Sequence, residues 1–396
     1  MRLRALLASF AATLVVSLLL RPSAAVAQVH RLDDGLARTP PMGWNTWNKF
    51  GCDVSEKLID EMADALATSG MRDAGYRVLT IDDCWQVSRD SGGTIVADPQ
   101  RFPNGIKAVA DYVHAKGLLF GIYTDAGSKT CQGRPGTLDH EVQDARTYAA
   151  WGVDYVKEDW CNARGLNAPA QYRKFHDALV ATGRPIVLSI CEWGSNRPWE
   201  WAAGTGHLWR TTEDIEDKWS SMLTNLDASA VHQAVAGPGG WNDPDMLEVG
   251  NGGMTGDEYR AHLSLWAIVA APLIAGNDVR TMSAADRDIL TNREVIAVDQ
   301  DSLGVEGWMA VQTVPGQQVW SKPLRNGARA VALLNRTEAP ARIIVEWQDI
   351  GLAKGGRARV RDLWAHAERG VHPGSYAAQV PSHGVVLVTI TPARGR

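Results

Sequence analysis

The chain has 396 residues, with 40 basic and 45 acidic side chains and a formal net charge of −5. This mildly acidic balance argues against nucleic acid or another polyanion as a partner. The length exceeds that of one ordinary hydrophobic core, so we expect two domains, one of them large.

The amino-terminal residues are typical of an export signal. Arg2 and Arg4 precede an apolar run over residues 5–20, and small residues suitable for cleavage follow at 25–27. The run is about 16 residues long, short of the roughly 20 needed to span a bilayer. We therefore expect a signal peptide over residues 1–27 and a secreted protein without membrane attachment once the signal is removed.

Next along the chain, six short apolar runs end in acidic side chains. In a barrel of parallel strands the strand ends form the active site, so acids at these ends converge on one pocket. Converging carboxylates indicate acid–base or nucleophilic chemistry. The acidic ends are Asp82 and Asp83 in LTIDD, Asp125 in FGIYTD, Asp159 in VDYVKED, Glu192 in IVLSICE, Asp214 in WRTTED and Asp245 in GGWNDPDM.

Strand-like and helix-like segments alternate from Thr39 to about Asp301, which indicates a parallel sheet with helical crossovers. Two further strands, at Met42 to Trp47 and Pro272 to Gly276, are predicted in addition to the six that end in acids. The total is therefore eight. Eight strands in roughly 260 residues is the size of a (β/α)₈ TIM barrel, which we place at residues 28–304. Helical spacing of apolar residues predicts helices over Ser55 to Ser69, Ile106 to His114, Glu141 to Trp151, Ala168 to Thr182, Trp219 to Ala234, Gly256 to Ala270 and Ala284 to Val298.

After Gly304 the runs become short, rich in β-forming residues and divided by turn residues such as Asn326-Gly327. They predict an antiparallel β-sandwich over residues 305–396. This region has no comparable cluster of strand-end acids, so we assign it packing and not chemistry. The predicted strands are VQTV, QVWSKPL, ARAVALLNR, ARIIVEW, RARVRDLW and GVVLVTI.

The cysteine count is odd, with five in the chain, which in an exported protein suggests disulfide bonds and one unpaired residue. Sequence alone leaves the pairing open. Cys84 and Cys161 closely follow acidic strand ends, where a bond could tie a neighbouring loop near the pocket. We favour pairing Cys52 with Cys84 and Cys131 with Cys161. Cys191 lies inside the apolar run IVLSIC and reads as a buried thiol.

Strand alternation places Lys157 and Asp159 on one face and Glu158 on the other. A nearby lysine favours the ionised carboxylate, which suits a nucleophile, whereas a structural ion pair is the alternative. Glu158 should then face the helices, where the sequence suggests no partner for it.

By the same alternation, Arg210, Thr212 and Asp214 share a face. Arg210 would lower the pKa of Asp214 and the neighbouring carboxylates would raise it, so sequence leaves the direction open. A surface salt bridge is the other interpretation of this pair.

Tryptophans form a second signal, because the chain has 16 and several accompany the acids at the predicted strand ends. Indole rings pack against the apolar face of a sugar while carboxylates bind its hydroxyls, although many tryptophans are simply part of a core. The combination predicts a carbohydrate pocket. The tryptophans concerned are Trp44, Trp47, Trp85, Trp160, Trp193 and Trp241.

Other chemistries fit poorly. The sequence lacks a GxxxxGK[ST] phosphate loop, an HExxH motif and a CxxC pair. Lys157 and Arg210 would compete with a cation among the acids, so we expect no metal and no cofactor. The glycine-rich segment at 237–240 reads as a turn that brings backbone near the pocket.

Nine motifs, taken in order, resemble glycoside hydrolase family 27, the α-galactosidases. They are TPPMGWNTWNKFGC, IDDCW, FPNGIKAVADYVHAKGLLFGIYTDAG, TCQGRPG, GVDYVKEDWC, CEWG, WRTTEDI, AGPGGWNDPDML and APLIAGNDVR. The resemblance implies a retaining, metal-free mechanism with Asp159 as nucleophile and Asp214 as acid/base. Retention predicts carboxyl groups roughly 5 to 5.5 Å apart.

The resemblance also implies a set of residues that bind the sugar. Asp82 and Asp83 would bind the O4 and O6 hydroxyls, which favours galactose. Glu192 stands where relatives that act on N-acetylgalactosamine have a small residue, so the acetamido sugar should not fit. Glu192 is also implied to bind a sugar hydroxyl, and the remaining implied contacts are Trp47, Tyr123, Lys157, Trp193, Arg210 and Asp245.

Two positions depart from the family pattern. Position 158 is usually aromatic and is Glu here, and Gly206 stands where animal relatives have the cysteine that would pair with Cys191. Neither departure touches the predicted catalytic pair. A terminal α-galactoside is therefore the expected substrate, with β-L-arabinopyranosidase activity as the alternative within the family. A sugar-binding barrel without catalysis is the non-enzyme alternative.

Overall fold

A computed structural model describes residues 31–393 of the chain. The predicted signal peptide over residues 1–27 lies outside these residues. Within the described range no helix has the length and apolar character needed to cross a bilayer.

The strands lie in two groups, one in the first three quarters of the chain and one at its end. In chain order they are β1 (Met42–Asn45), β2 (Val78–Ile81), β3 (Gln86–Arg89), β4 (Ile95–Ala97), β5 (Leu119–Asp125), β6 (Tyr155–Asp159), β7 (Val187–Ile190), β8 (Leu208–Arg210), β9 (Trp241–Asp243), β10 (Leu273–Ala275), β11 (Trp308–Val314), β12 (Gln317–Pro323), β13 (Arg329–Asn335), β14 (Ala341–Glu346), β15 (Arg357–Asp362), β16 (Ala367–Pro373), β17 (Ser375–Val380) and β18 (Val385–Pro392).

The α-helices lie between the strands of the first group and directly after them. They are α1 (Trp47–Phe50), α2 (Glu56–Thr68), α3 (Met71–Ala74), α4 (Gly105–Ala115), α5 (Glu141–Trp151), α6 (Ala168–Val180), α7 (Trp219–Ala230), α8 (Gly256–Ile268), α9 (Ala284–Leu290) and α10 (Arg293–Asp299).

Eight strands form one parallel sheet in the order β10-β1-β2-β5-β6-β7-β8-β9. A parallel bridge between Leu247, just beyond β9, and Ala275 in β10 joins the two ends of this order. Each crossover therefore connects neighbouring strands, as in a TIM barrel. The predicted (β/α)₈ barrel is confirmed.

Several helices begin where side chains can satisfy the free N–H groups of the first turn. Ser55 accepts a hydrogen bond from the N–H of Leu58 at the start of α2. At the start of α8, Thr255 and Glu258 form a reciprocal capping box. The helix predicted over Glu141 to Trp151 has those bounds in the structure, as α5.

The single helix predicted over Ala284 to Val298 is wrong, because the structure has two helices there, α9 and α10. Asn292 separates them. Its side-chain oxygen accepts hydrogen bonds from the N–H groups of Glu294 and Val295, which starts a new helix. Its amide also donates to the carbonyl of Leu363 in the carboxy-terminal layer at 3.1 Å.

The turn over residues 237–240 was predicted to lie near the pocket, and this is wrong. It directly precedes β9, so it lies at the amino end of the barrel, opposite the carboxyl ends of the strands. The N–H of Gly239 donates to the carbonyl of Ala37. A Cβ at position 239 would meet the Leu32 carbonyl oxygen at 2.0 Å, which explains the glycine there.

The carboxy-terminal layer is antiparallel, as predicted. A six-stranded sheet has the order β11-β12-β13-β18-β15-β16, and β14 pairs with β17 to form a second sheet. Side chains from both sheets, including Val331, Val345 and Val388, form a common core. Strands β16 and β17 were not predicted, because AERGVHP and SYAAQV lack the run of β-branched residues that marks the other strands.

The other face of the six-stranded sheet packs on the barrel. Trp320, Leu334 and Leu387 from this sheet belong to the same core cluster as Trp266 and Ile268 of α8. Helix α8 lies between the two layers, and most of its side chains are buried.

Both favoured disulfide bonds are present, joining Cys52 to Cys84 and Cys131 to Cys161. The first ties the loop after α1 to the end of β2. The second ties the loops after β5 and β6. Cys191 is unpaired and buried, as predicted.

Candidate active site

The carboxyl ends of the barrel strands surround a narrow cavity of about 50 Å³. Every residue predicted to act on the sugar lines this cavity except Glu192. Sequence reasoning missed Asn48 and Met246, which directly follow predicted residues in the chain, and assigned Cys131 only to a disulfide. The lining is Trp47, Asn48, Asp82, Asp83, Tyr123, Cys131, Lys157, Asp159, Trp193, Arg210, Asp214, Asp245 and Met246.

Asp159 ends β6, and only 5% of its surface is exposed. The Tyr123 hydroxyl donates to one carboxyl oxygen at 3.0 Å, and the N–H of Trp160 donates to the other at 2.9 Å. Burial raises the pKa of Asp159 to about 6, although the charge of Lys157 and these hydrogen bonds act in the opposite direction. The carboxyl group is therefore held in one orientation by donors on both oxygens.

Lys157 and Asp82 form a buried ion pair, with the ammonium 2.9 Å from a carboxyl oxygen. The same oxygen accepts from the Asn45 amide at 2.8 Å. Burial lowers the pKa of Lys157, but Asp82 and the other nearby acids outweigh it and hold the pKa well above its usual value. Lys157 is thus a permanent cation beside Asp82, on the face of β6 that the alternation predicted.

Asp83 points toward the loop that follows β5. One of its oxygens accepts from the N–H of Gln132 at 3.0 Å, and the other accepts from the N–H of Cys84 at 2.6 Å. Burial raises the pKa of Asp83 despite these two bonds. Asp82 and Asp83 therefore present one ion-paired and one backbone-held carboxyl group to the cavity.

Arg210 ends β8 and joins two acids. Its guanidinium lies 3.0 Å from a carboxyl oxygen of Asp245 and donates to Asp214 at 3.0 Å. Arg210 and Asp214 are in contact, but the predicted shared strand face is wrong, because β8 ends at Arg210 and residues 211–214 form a loop. Arg210 holds that loop itself by donating to the Thr212 carbonyl at 3.0 Å.

Asp214 is the most accessible of these acids, with 65% of its side chain exposed. Desolvation raises its pKa, but the charges of Arg210 and Lys157 outweigh it, and the pKa of Asp214 lies below its usual value. The question that the sequence left open is therefore answered in favour of Arg210.

Glu192 follows β7 and is fully buried. One carboxyl oxygen accepts from both the N–H and the side-chain amide of Asn196, and the other has no hydrogen-bond partner in the described part of the chain. Burial raises the pKa of Glu192 to about 7. Its neighbour Trp193 has a positive φ of 56° and does reach the cavity.

Asp125 ends β5 directly beside Asp159 in the strand pairing. Its two oxygens accept from the N–H groups of Gly127 and Cys161, at 2.7 and 2.8 Å. It therefore anchors both loops that the second disulfide joins. Burial and the nearby Asp159 raise the pKa of Asp125 to about 9.

Potential metal-ligand atoms of Asp125, Asp159, Cys131 and Cys161 lie within 4.8 Å of one another. The two cysteines are bonded to each other, so neither offers a thiolate. This group does not suit zinc, and the expectation of a metal-free site stays a prediction.

Glu158 faces away from the cavity, as predicted. It is fully buried, and neither carboxyl oxygen has a hydrogen-bond partner among residues 31–393. Burial raises its pKa well above the usual value, and the nearby carboxyl groups of Asp125, Glu141 and Asp144 raise it further. Burial therefore favours the uncharged form of Glu158, beneath the site.

Two family models match the chain. The model described as "Alpha galactosidase A" matches residues 39–301, and the one described as "Alpha galactosidase C-terminal beta sandwich domain" matches residues 315–390. The chain belongs to the α-galactosidase family, glycoside hydrolase family 27. Members of this α-galactosidase family are glycoside hydrolases, and the chain is one of them.

Relatives within the α-galactosidase family match over most of the chain. An α-galactosidase of Oryza sativa subsp. japonica is 51% identical and covers 92% of this chain, which spans 88% of that protein. The crystal structure of α-galactosidase I from Mortierella vinacea superposes with a TM-score of 0.87 at 38% identity, over 91% of this chain and all of that one. A β-L-arabinopyranosidase of Geobacillus stearothermophilus superposes with a TM-score of 0.83 at 26% identity, over 91% of this chain and 98% of that one.

Proposed function

We propose that this protein is a secreted, retaining α-galactosidase that removes terminal α-D-galactose from oligosaccharides or polysaccharides. The observation that carries the proposal is the convergence of Asp159 and Asp214 on one cavity, together with an ion-paired lysine, an arginine and two indoles. Relatives about half identical to the chain are named α-galactosidases. The domain limits at residues 28–304 and 305–396 are part of this proposal.

In the first step, an oxygen of Asp159 attacks the anomeric carbon as the bond to the leaving oxygen breaks. Asp214 donates its proton to that oxygen, and a covalent galactosyl ester forms on Asp159. In the second step, Asp214 removes a proton from water, which attacks the same carbon and releases galactose and the Asp159 carboxylate. The hydrogen bonds from Tyr123 and Trp160 hold the attacking carboxyl in place before the reaction.

The other cavity residues bind the sugar in this proposal. Asp82 and Asp83 accept hydrogen bonds from the O4 and O6 hydroxyls, Lys157 donates beside Asp82, and Trp47 packs against the ring. Tyr123, Trp193, Arg210 and Asp245 complete the wall.

Glu192 plays a different part in the proposal. It does not line the cavity, so a contact with a sugar hydroxyl would require its side chain to rotate away from Asn196. We retain it as a residue whose bulk limits the room for an acetamido group.

Azide rescue tests the two catalytic roles. Asp159→Gly and Asp214→Gly should each lose more than about 99% of the turnover of galactosides with poor leaving groups. Added azide should then yield β-galactosyl azide with the first variant, because it enters from the side of the missing nucleophile. With the second it should yield α-galactosyl azide, formed from the covalent ester. The opposite pairing of product and variant would overturn the assignment, and the wild-type protein is the control.

The alternative within the family is β-L-arabinopyranosidase activity, which the Geobacillus structure brings into consideration. Its substrate lacks the C6 group of galactose, so the pair Asp82 and Asp83 favours the galactoside. We expect nitrophenyl α-D-galactopyranoside to be hydrolysed with the higher kcat/KM, with and without a chelator. Faster turnover of nitrophenyl β-L-arabinopyranoside would reverse the assignment, and loss of activity with chelator would contradict a metal-free site.

Secretion is also a proposal, compatible with two disulfide bonds. Amino-terminal sequencing of exported protein should begin near Gln28.

If a bound galactoside were retained without turnover by the wild-type protein, the non-enzyme alternative of a sugar-binding barrel would replace the proposed activity.

A further inference from the structure

A buried asparagine of α7 contacts the backbone of two loops that carry acids of the site. The side-chain amide of Asn225 donates to the carbonyl oxygens of Glu213 at 3.1 Å and Pro244 at 3.0 Å. Carbonyl oxygens only accept, so the NH₂ group of the amide must face both of them. Each partner directly precedes an acid that lines the cavity, Asp214 in the loop after β8 and Asp245 in the loop after β9.

The sequence of α7 places this asparagine where an apolar residue is expected. The buried positions of the helix recur at helical spacing along one face, and they are Met222, Asn225, Leu226 and Ser229. Asparagine is a weaker helix former than leucine, and burial of an amide costs free energy unless the amide is hydrogen-bonded. The two bonds to loop carbonyls therefore account for a polar side chain at this position.

The carboxyl group of Asp214 has few contacts of its own. It is exposed, and within the described part of the chain its one hydrogen bond comes from Arg210, at 3.0 Å. The backbone on either side is held, because Asn225 binds the preceding carbonyl and the N–H of Ile215 donates to the Asp245 carboxylate at 2.8 Å. An aspartate side chain is short and takes few rotamers, so the position of its backbone decides where the carboxyl group lies.

The second loop has a strained backbone that also needs support. Asp245 has a φ of 82°, which is uncommon outside glycine and costs free energy. The N–H of Asp245 donates to the Asp243 carboxylate at 2.8 Å, and the Trp266 indole donates to the carbonyl of Asp245 at 2.8 Å. Asn225 holds the residue before it, and the Asp245 carboxylate in turn contacts Arg210 at 3.0 Å. A displacement of either loop is therefore passed to the other.

We propose that Asn225 is a positioning residue for the acid/base step, and that its amide sets the place of Asp214 by fixing the backbone of both loops. Asn225 does not line the cavity, so its effect reaches the reaction through Asp214. The proposal rests on the proposed function, because it concerns the proton donor of that reaction.

A misplaced proton donor has an effect that depends on the leaving group. An alkoxide needs a proton as it departs, whereas fluoride departs without one. Methyl α-D-galactopyranoside and α-D-galactosyl fluoride carry the same sugar, so the ratio of their kcat/KM values isolates protonation of the leaving oxygen. A loss of folded protein lowers both values equally and leaves this ratio unchanged.

Asn225→Leu removes both hydrogen bonds and keeps the approximate volume of the side chain. It should lower kcat/KM for the methyl galactoside about 10- to 50-fold and that for the fluoride less than about 3-fold, because a displacement of about 1 Å is enough for losses of this order. Asn225→Asp keeps the shape but cannot donate to both carbonyls, and it should change the ratio in the same direction. This second variant decides the question if the leucine variant does not fold.

The matched control is Asn292→Leu. Asn292 is also buried and donates to a carbonyl, but it lies at the junction with the carboxy-terminal layer. Its replacement should lower stability and leave the ratio of the two kcat/KM values unchanged.

A double-mutant cycle identifies the residue through which Asn225 acts. In the Asp214→Gly background the proton donor is already absent, so Asn225→Leu should lower kcat/KM for nitrophenyl α-D-galactopyranoside less than about 2-fold. In the wild-type background the same change should lower it about 5-fold or more. Equal losses in the two backgrounds, or an unchanged ratio of methyl galactoside to fluoride, would overturn the proposal. If the wild-type protein hydrolyses no galactoside, the proposed function itself has failed, which these two outcomes do not imply.

Discussion

Asp159 and Asp214 differ in how much water reaches them, and this difference orders their pKa values. Burial raises the pKa of Asp159 to about 6, whereas Arg210 and Lys157 outweigh desolvation and hold that of exposed Asp214 below its usual value. As pH rises, the free protein therefore loses the Asp214 proton first. In the proposed mechanism, the form that reacts has Asp159 ionised and Asp214 protonated, and it is therefore a minor part of the singly protonated population.

The pH dependence of kcat/KM follows from this order. It should be bell-shaped with an acidic optimum and a basic limb near pH 6, because above that pH both carboxyls are ionised and no proton is available for the leaving oxygen. Tyr123→Phe removes a hydrogen bond to ionised Asp159 and so raises its pKa further. The basic limb should move to higher pH, and the peak rate should fall.

The measurement is kcat/KM for nitrophenyl α-D-galactopyranoside across about pH 3 to 8, a range that covers the titration of both groups. Tyr112→Phe is a suitable control, because its hydroxyl contacts exposed Asp64 far from the cavity. If Tyr123→Phe shifts only the acidic limb, the order of the two pKa values is the reverse of that described.

At the scale of an element, the break between α9 and α10 shows how one side chain can end one helix and begin another. Asn292 is almost fully buried, caps α10 with its oxygen and reaches the Leu363 carbonyl with its amide. Ser283 caps α9 in a similar way, accepting from the N–H of Asp286, but it is exposed and makes no hydrogen bond to the described part of the carboxy-terminal layer.

These two caps make a matched pair. Ser283→Ala should lower the free energy of unfolding by about 1 kcal/mol, the usual cost of a lost cap. Asn292→Ala should lower it by about 2–3 kcal/mol, because it also leaves the Leu363 carbonyl without its partner. Urea unfolding measures both. Equal losses would mean that the bond to Leu363 contributes nothing to stability.

Periodicity in the sequence predicts the elements that depend on local spacing. The helix over Glu141 to Trp151 and the strand ends at Asp125 and Asp159 are of this kind. Local spacing does not predict the break at Asn292, because the amide of this residue donates to a carbonyl 71 residues away in the chain.

The same division applies to the site. Strand alternation correctly separates Lys157 from Glu158, whereas Asp214 is positioned by a loop that Arg210 holds. Glu192 follows its strand as predicted, yet its carboxylate binds Asn196 and does not line the cavity. Spacing in the sequence predicts which side chains lie at the barrel end, but loop contacts decide which of them reach the cavity.

At the scale of the whole molecule, the barrel and the carboxy-terminal layer share one core. Lys322 of β12 lies in it, 1% exposed, and its ammonium donates to the carbonyls of Ala267 and Asp299 at 3.0 and 3.2 Å. Across the same junction, the Arg361 guanidinium donates two hydrogen bonds to the Glu294 carboxylate. We therefore expect both layers to unfold in one transition.

Lys322 makes this expectation measurable. Burial lowers its pKa to about 8, although the charges of nearby Asp299 and Glu306 act in the opposite direction. The folded protein then loses this proton at a lower pH than the unfolded chain, whose lysine keeps the usual value. The contribution of Lys322 to the free energy of unfolding should thus rise with pH from about 8 to about 10.5.

Lys322→Met should remove this rise, which is measured as the difference from wild type in urea unfolding at both ends of that window. Lys354→Met changes a lysine on the surface of the same layer. Its free energy of unfolding should depend on pH in the same way as that of the wild type. If the free energy of unfolding of Lys322→Met depends on pH in the same way as that of the wild type, Lys322 is not desolvated in solution. Two separate transitions in the wild type would contradict the shared core.

The exposure of Asp214 also determines what happens once the first product has left. In the proposed mechanism, the covalent ester then lies beside exposed Asp214, on the side from which the leaving group has departed. Any alcohol that settles there competes with water, and the same carboxylate can deprotonate it. At high sugar concentration the protein should therefore run partly as a transferase and build longer galactosides, so its yield of free galactose depends on the concentration of acceptors around it.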